Sequence, residues 1–112
     1  MKFETKEQLL KQIKADDACS EGRKWCEKQS CLDDILKNCC SSLRVWALRL
    51  DYEQFAEHCD WSKLRGFDWC WLLIEKPQFS EHCDWSKLNC FDWSLLLQKQ
   101  PQFKKYKVLY LI

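Results

Sequence analysis

The chain has 112 residues, 46% of them hydrophobic, with seven tryptophans, nine cysteines and a formal net charge of +1. That length suits a single compact domain, residues 1–112, able to bury a real core, and the near-neutral balance excludes binding to nucleic acid or to a basic partner through bulk charge. Two glycines, two prolines and the lack of any Ser/Gly-rich stretch exclude a flexible linker or a disordered arm.

The first predicted element covers residues 6–14. Thr5 with Gln8 has the form of a capping box, and Leu9, Leu10 and Ile13 supply an apolar stripe. Asp16 or Asp17 is expected to cap a second helix whose inward face carries Ala18, Gly22, Trp25 and Cys26. Glycine weakens a helix interior by roughly 0.5 to 1 kcal/mol relative to alanine, so close approach of a neighbouring backbone is expected at Gly22. Ser30 with Asp33 reads as the start of a third helix, buried through Leu32, Ile35, Leu36 and Cys39 at i, i+3, i+4 and i+7. Ser41 or Ser42 opens a fourth, with Leu43, Trp46, Ala47 and Leu50 facing inward. Only Val108 to Ile112 hint at the period-two alternation of a strand. The expected fold class is all-α.

From residue 54 the chain repeats itself. Residues 54–77 and 78–101 align without a gap and agree at sixteen of twenty-four positions. Each copy holds two Asp-Trp pairs: Asp60-Trp61 and Asp68-Trp69, then Asp84-Trp85 and Asp92-Trp93. Aspartate is a strong N-cap, so each pair is expected to start a short helix with a large apolar anchor just inside it, and Pro77 and Pro101 to end the longer ones. A unit this small buries its tryptophans only against a neighbour, which predicts a short-helix tandem repeat, α-solenoid-like, stacked on an N-terminal helical cap. Residues 1–42 form that cap, residues 43–103 the repeats with partial flanking copies, and residues 104–112 the C-terminal cap.

The phrase PQFSEHCDWSKLNCFDWSLLLQKQPQF resembles a tandem-repeat family of uncharacterised bacterial and mobile-element proteins, built on PQF, CDWSKL and DWS-x-LL elements. Residues 9–50, with Ala18-Cys19, Glu21-Gly22, Trp25, Cys40 and Trp46 in order, are similar to an N-terminal segment of small phage-encoded proteins. The resemblance brings no activity with it. It implies a partner among host defence proteins, such as a CRISPR effector.

Nine cysteines without a C-x-x-C pair or regular spacing fit neither a disulfide framework nor a zinc ribbon, so most are expected to be reduced and buried, with Cys26, Cys39, Cys59 and Cys83 as core filler. His58, Cys59, His82 and Cys83, with Cys70 and Cys90, offer the elements of a zinc site at the wrong spacing, because adjacent helical residues point about 100° apart. No cofactor and no catalytic constellation is expected: glycine-rich phosphate loop, nucleophile elbow and paired carboxylates are missing, and duplicated residues are usually scaffold. Arg44, Arg49, Lys63, Arg65 and Lys87, with Lys104, Lys105, Tyr106 and Lys107, are candidates for a basic face, interrupted by acidic residues.

Positions that differ between copies are candidate contacts, because stacking does not fix them. Arg65 stands against Asn89, Trp71 against Leu95, Ile74 against Gln98 and Glu75 against Lys99. The protein-binding candidates are therefore Trp71, Arg65, Ile74, Glu75 and Asn89, although Trp71 reads equally as core. The expected function is a small non-enzymatic protein-binding module, of the anti-CRISPR kind if the phage likeness holds. A self-associating structural repeat, a nucleic-acid binder and a zinc module are the alternatives. The opening MKFETKEQLLKQIK lacks a signal peptide's apolar run and no stretch reaches the ~20 residues of a membrane span, so the expected location is the cytoplasm, the host's if phage-encoded.

Overall fold

Every regular element among residues 2–110, which the computed structural model describes, the last three by backbone, is helical. The α-helices are α1 (Lys6–Ala15), α2 (Ser20–Lys28), α3 (Leu32–Asn38), α4 (Ser41–Arg49), α5 (Gly66–Glu75), α6 (Cys90–Lys99) and α7 (Lys104–Tyr110). Short 3-10 turns occupy Glu53–Ala56, Trp61–Lys63, Pro77–His82, Trp85–Lys87 and Pro101–Phe103. The strand hinted at by Val108 to Ile112 is not formed where it is described: residues 108–110 belong to α7, and residues 111 and 112 lie outside the described residues. Contacts divide the chain into two compact units, Met1–Cys59 and Asp60–Ile112, and the division falls inside the first sequence copy.

In the first unit α1 starts as expected, the Thr5 hydroxyl accepting the Gln8 amide at 3.2 Å. The return bond of the box is displaced by one residue, since the Gln8 side chain accepts from the Glu4 amide. Neither Asp16 nor Asp17 caps α2. Asp16 ends α1 and Asp17 takes a left-handed conformation (φ 58°), which reverses the chain so that Cys19 becomes the N-cap, its sulfur accepting the Gly22 amide at 3.4 Å. Ser30 likewise gives way to Cys31 at the start of α3.

The expectation of a close backbone at Gly22 is also corrected. A Cβ there would meet only Cys19 Sγ at 3.5 Å and Leu43 Cδ1 at 3.6 Å, ordinary contacts. The face of α4 is rotated from the expected one: Arg44, Val45, Ala47 and Leu48 are buried, Leu43 and Trp46 half-buried, and Leu50 exposed. Burying Arg44 demands a partner for its charge-bearing donors, and the guanidinium meets the Phe55 carbonyl at 2.7 Å. Around it Tyr52 packs against Phe3, Trp46 and Phe55, with ring centroids 5.1, 5.5 and 6.0 Å away, and its hydroxyl donates to Asp16.

In the second unit the equivalent stretches of the two copies, residues 60–77 and 84–101, take matching conformations. Asp60 (φ −88°, ψ 94°) and Asp84 (φ −88°, ψ 97°) cap their turns as the sequence predicts, and the hydroxyls of Ser62 and Ser86 hold both carboxyls below the usual carboxylate range. Asp68 and Asp92 do not start α5 and α6. Each helix begins three residues before the expected start, and each aspartate sits at its third position, reaching back to the backbone amides of Arg65 (3.0 Å) and Asn89 (3.1 Å). Pro77 and Pro101 follow the ends of α5 and α6 as expected, through Lys76 and Gln100 with nearly identical dihedrals.

Aromatic rings fill each copy in the same way. Trp61 stacks on Trp69 and Trp85 on Trp93, both at 5.5 Å, and the opposite side of the outer indole is covered by His82 in one copy and Tyr106 in the other, both at 4.5 Å. Trp69 and Trp93 are fully buried, worth on the order of 4 to 6 kcal/mol each in apolar area before conformational entropy is subtracted. That outweighs the roughly 1 to 3 kcal/mol for each of their buried indole N–H groups, which meet no acceptor among the described residues.

Polar groups then fasten copy to copy. Lys87 Nζ donates to the carbonyls of Ser62 and Leu64, Gln100 Nε2 to that of Ile74 at 3.0 Å, and the Cys70 thiol to that of Asp92 at 3.5 Å. Gly66 lies in the same joint, where a Cβ would stand 2.2 Å from the Lys87 carbonyl oxygen. Close approach therefore occurs at Gly66.

Candidate protein-binding face

The start of α5 and α6 decides which aromatic side chains are left outside. With Asp68 and Asp92 turned back as caps, Trp69 and Trp93 fall at the fourth helical position and point inward. Phe67 and Phe91 precede them by two residues, about 200° around the helix, and so project to the far side. Phe67 is 59% exposed and Phe91 85%, high values for side chains of this size. One turn further along, on the same face, come Trp71 and Leu95. Trp71 is half-buried and packs edge-on against Phe67 at 5.9 Å, while Leu95 is exposed.

The copy-to-copy bonds from Lys87 to Ser62 and Leu64, and from Gln100 to Ile74, join residues 23 to 26 apart, about one 24-residue copy. With α5 packed on α6 and Phe67 and Phe91 exposed at the same helical position, the equivalent side chains of the two helices lie outside the joint. Phe67, Trp71, Phe91 and Leu95 form an apolar face, with Arg65, Asn89, Glu75 and Lys99 exposed at the ends of the two helices. Apolar contact bordered by charge is the composition of a protein interface centre and its rim.

The five residues singled out in the sequence fare differently. Trp71 belongs to this face. Arg65 lies at its edge, its side chain 74% exposed, with Nε 3.4 Å from Asp68. Glu75 is exposed and Ile74 half-buried, the Ile74 carbonyl being taken up by the joint. Asn89 has a structural task, its side chain accepting the Asp92 amide at 2.9 Å as the N-cap of α6. Sequence reasoning missed Phe67, Phe91 and Leu95. The usable signal was the Phe-Asp-Trp order itself, which cannot place both aromatics on one side of a helix.

The zinc candidates are not assembled: among the described residues no three His, Cys, Asp or Glu side chains form a metal-binding group. His58 approaches Asp33 at 3.9 Å, and His82 lies flat on Trp61 where Tyr106, a residue without a ring nitrogen, does the same in the next copy. Burial pushes the Cys83 thiol up to about 12, away from the thiolate a metal requires. The candidate basic face loses Arg44 to the core and Lys87 to the joint, and Tyr106 to the stack on Trp85.

Compared with models of known families, with curated proteins and with solved structures, the chain matches none. No helix among the described residues is long and apolar enough to cross a membrane.

Proposed function

We propose that this chain is a small non-enzymatic protein-binding module whose contact surface is the outer face of α5 and α6. The observation that carries the reading is the exposure of Phe67 and Phe91 at the same position of two adjoining copies, continued by Trp71 and Leu95. Among the described residues only Trp71, edge-on against Phe67, partly covers these rings and both stay exposed, whereas Trp69 and Trp93 beside them are fully enclosed. Large aromatics in such a setting are the residues that dominate interface energies when a partner excludes water from them. The stacked copies act as a short α-solenoid-like array, a scaffold that leaves its outward positions free for recognition.

The likeness of the repeat and of residues 9–50 to mobile-element and phage-encoded proteins supports the partner class. The module blocks a host defence complex of the CRISPR effector type by steric occlusion, in the cytoplasm of the host. This rests on analogy of motif, and the face itself requires only a protein with a complementary apolar surface.

The test is affinity capture under reducing conditions from bacterial lysates expressing CRISPR effector complexes, with the double variant Phe67→Ser/Phe91→Ser as the matched bait. Retention of one stoichiometric effector complex by the wild-type chain alone, with unchanged helical circular dichroism for the variant, is the expected result. Identical retention by both baits removes the face from the reading. Recovery of only the chain itself, with a dimer in sedimentation velocity, transfers the same face to self-association.

A further inference from the structure

A second feature lies in the first unit and uses none of the residues of the α5 and α6 face. A cleft of about 790 Å³ opens between the start of α2 and the start of α4, within the usual size of small-molecule sites. Trp25, Trp46 and Leu43 give it apolar walls, and Gly22 contributes no side chain to it. Trp46 is already held edge-on by the buried Tyr52, 79° between ring planes, so one wall is fixed by the core. The residues the sequence placed on inward faces, Trp25, Leu43 and Trp46, are thus half-buried around this opening.

Gly22 supports the reading independently. It sits inside α2 although its backbone has no positive φ and a Cβ would meet only ordinary contacts. The fold does not require glycine at this position. A larger side chain would fill cleft space beside Leu43 instead.

Charge selects the occupant. The charged residues among those lining the cleft are Asp17 and Glu21, both acidic. Against them stand the positive ends of α2 and α4, each equivalent to roughly half an elementary charge, and Glu21 lies in the first turn of α2 itself. With no basic side chain in the lining, Asp17 and Glu21 set the sign of the cleft, and a cation is the complementary occupant. Indole faces bind cations through the ring quadrupole and do so best with substituted ammonium groups, which shed water easily and carry apolar surface. We infer that the cleft of the first unit binds a substituted ammonium group, with Trp25 and Trp46 as aromatic walls and Asp17 and Glu21 as counter-charges.

Choline, its neutral carbon isostere 3,3-dimethylbutan-1-ol and the anion 3,3-dimethylbutanoate share one bulky head and differ in charge. Each is titrated into the full chain while the tryptophan indole N–H resonances are followed, Trp25 and Trp46 being assigned with single Trp→Phe variants. Choline is expected to shift those two resonances saturably and to bind about fivefold to tenfold more tightly than the alcohol, and more tightly still than the anion. Asp17→Asn/Glu21→Gln, two exposed positions of which the first keeps a residue tolerant of left-handed backbone, should erase that preference and leave the fold intact. Gly22→Leu should abolish the shifts. Equal binding of choline and the alcohol, preference for the anion, or no shift at either tryptophan overturns the inference. If choline binds, a peptide bearing trimethyllysine distinguishes a modified protein from a free metabolite as the source of the group.

Discussion

Gly66 and Cys90 occupy the same position of two copies and meet opposite surroundings. At Gly66 the next copy presses the Lys87 carbonyl oxygen to 2.2 Å, and the Asp92 carboxylate to 2.6 Å, of where a Cβ would stand. Backbone cannot swing aside as the end of a flexible side chain can, so even a methyl group forces the joint open. Cys90, in the last full copy, is exposed and keeps its side chain. Gly66→Ala is therefore expected to destabilise the chain by about 1 to 3 kcal/mol, and Cys90→Ala to stay within about 0.5 kcal/mol, in urea unfolding monitored by circular dichroism. Similar losses for the two variants would mean that the joint does not carry this stability. This difference did not stand out among the copy-to-copy substitutions in the sequence, and Gly22 drew the attention because it interrupts a helix. Only the position of a neighbouring carbonyl distinguishes a required glycine from a merely tolerated one.

At the scale of the element, the ends of the helices divide into those a side chain defines and those tertiary context defines. Thr5, Asp60 and Asp84 were legible as caps because an oxygen-bearing side chain on extended backbone binds the free amides of the first turn. Cys19, Cys31 and Cys40 were not, because propensity does not mark cysteine as a cap and the chain turns there for other reasons. Asp68 and Asp92 deceived in a specific way: a carboxylate at the third position can satisfy an amide of the first turn as well as one at the cap. In α6 the box is reciprocal, since Asn89 returns a bond to the Asp92 amide; in α5 Arg65 makes no side-chain cap bond, although its backbone (φ −85°, ψ 169°) nearly matches that of Asn89 (φ −89°, ψ −177°). Arg65→Asn should complete the box and raise stability by about 0.5 to 1 kcal/mol, while Asn89→Ala should lower it by about 1 kcal/mol. The 3.4 Å Arg65–Asp68 contact forfeited in the first variant is mostly solvent-exposed on the arginine side and offsets little of the gain. No change on Arg65→Asn in thermal unfolding would show that water already satisfies that amide.

For the whole molecule, the helical class and the repeated phrase were readable directly, since periodicity and self-similarity reside in the residues themselves. The face presented by α5 and α6 was not, because it depends on where each helix begins: caps at Asp68 and Asp92 would leave Phe67 and Phe91 outside the helices, whereas caps three residues earlier bring them in, about 200° around from Trp69 and Trp93. The same limit applied to the cysteines, whose burial follows from packing and which are not mostly core filler as expected: Cys26, Cys39 and Cys70 are buried, Cys59 and Cys83 half-buried, and Cys19, Cys31, Cys40 and Cys90 exposed. Burial also raises the three enclosed thiols, Cys26 and Cys70 to about 11 and Cys39 to about 12, so enclosure and loss of thiolate act in the same direction against alkylation. Iodoacetamide at pH 8 should label the four exposed cysteines first, with Cys26, Cys39 and Cys70 modified only as urea opens the fold, each site being read by mass spectrometry of proteolytic peptides. Cys26 and Cys39 both lie in the unit Met1–Cys59 and should gain label at a common rate, because a cooperative unit exposes its buried groups together. Early labelling of Cys70 would instead place an opening at the joint, where its thiol meets the Asp92 carbonyl, and that is also where Gly66→Ala acts; the two measurements therefore examine one contact from its polar and its steric side.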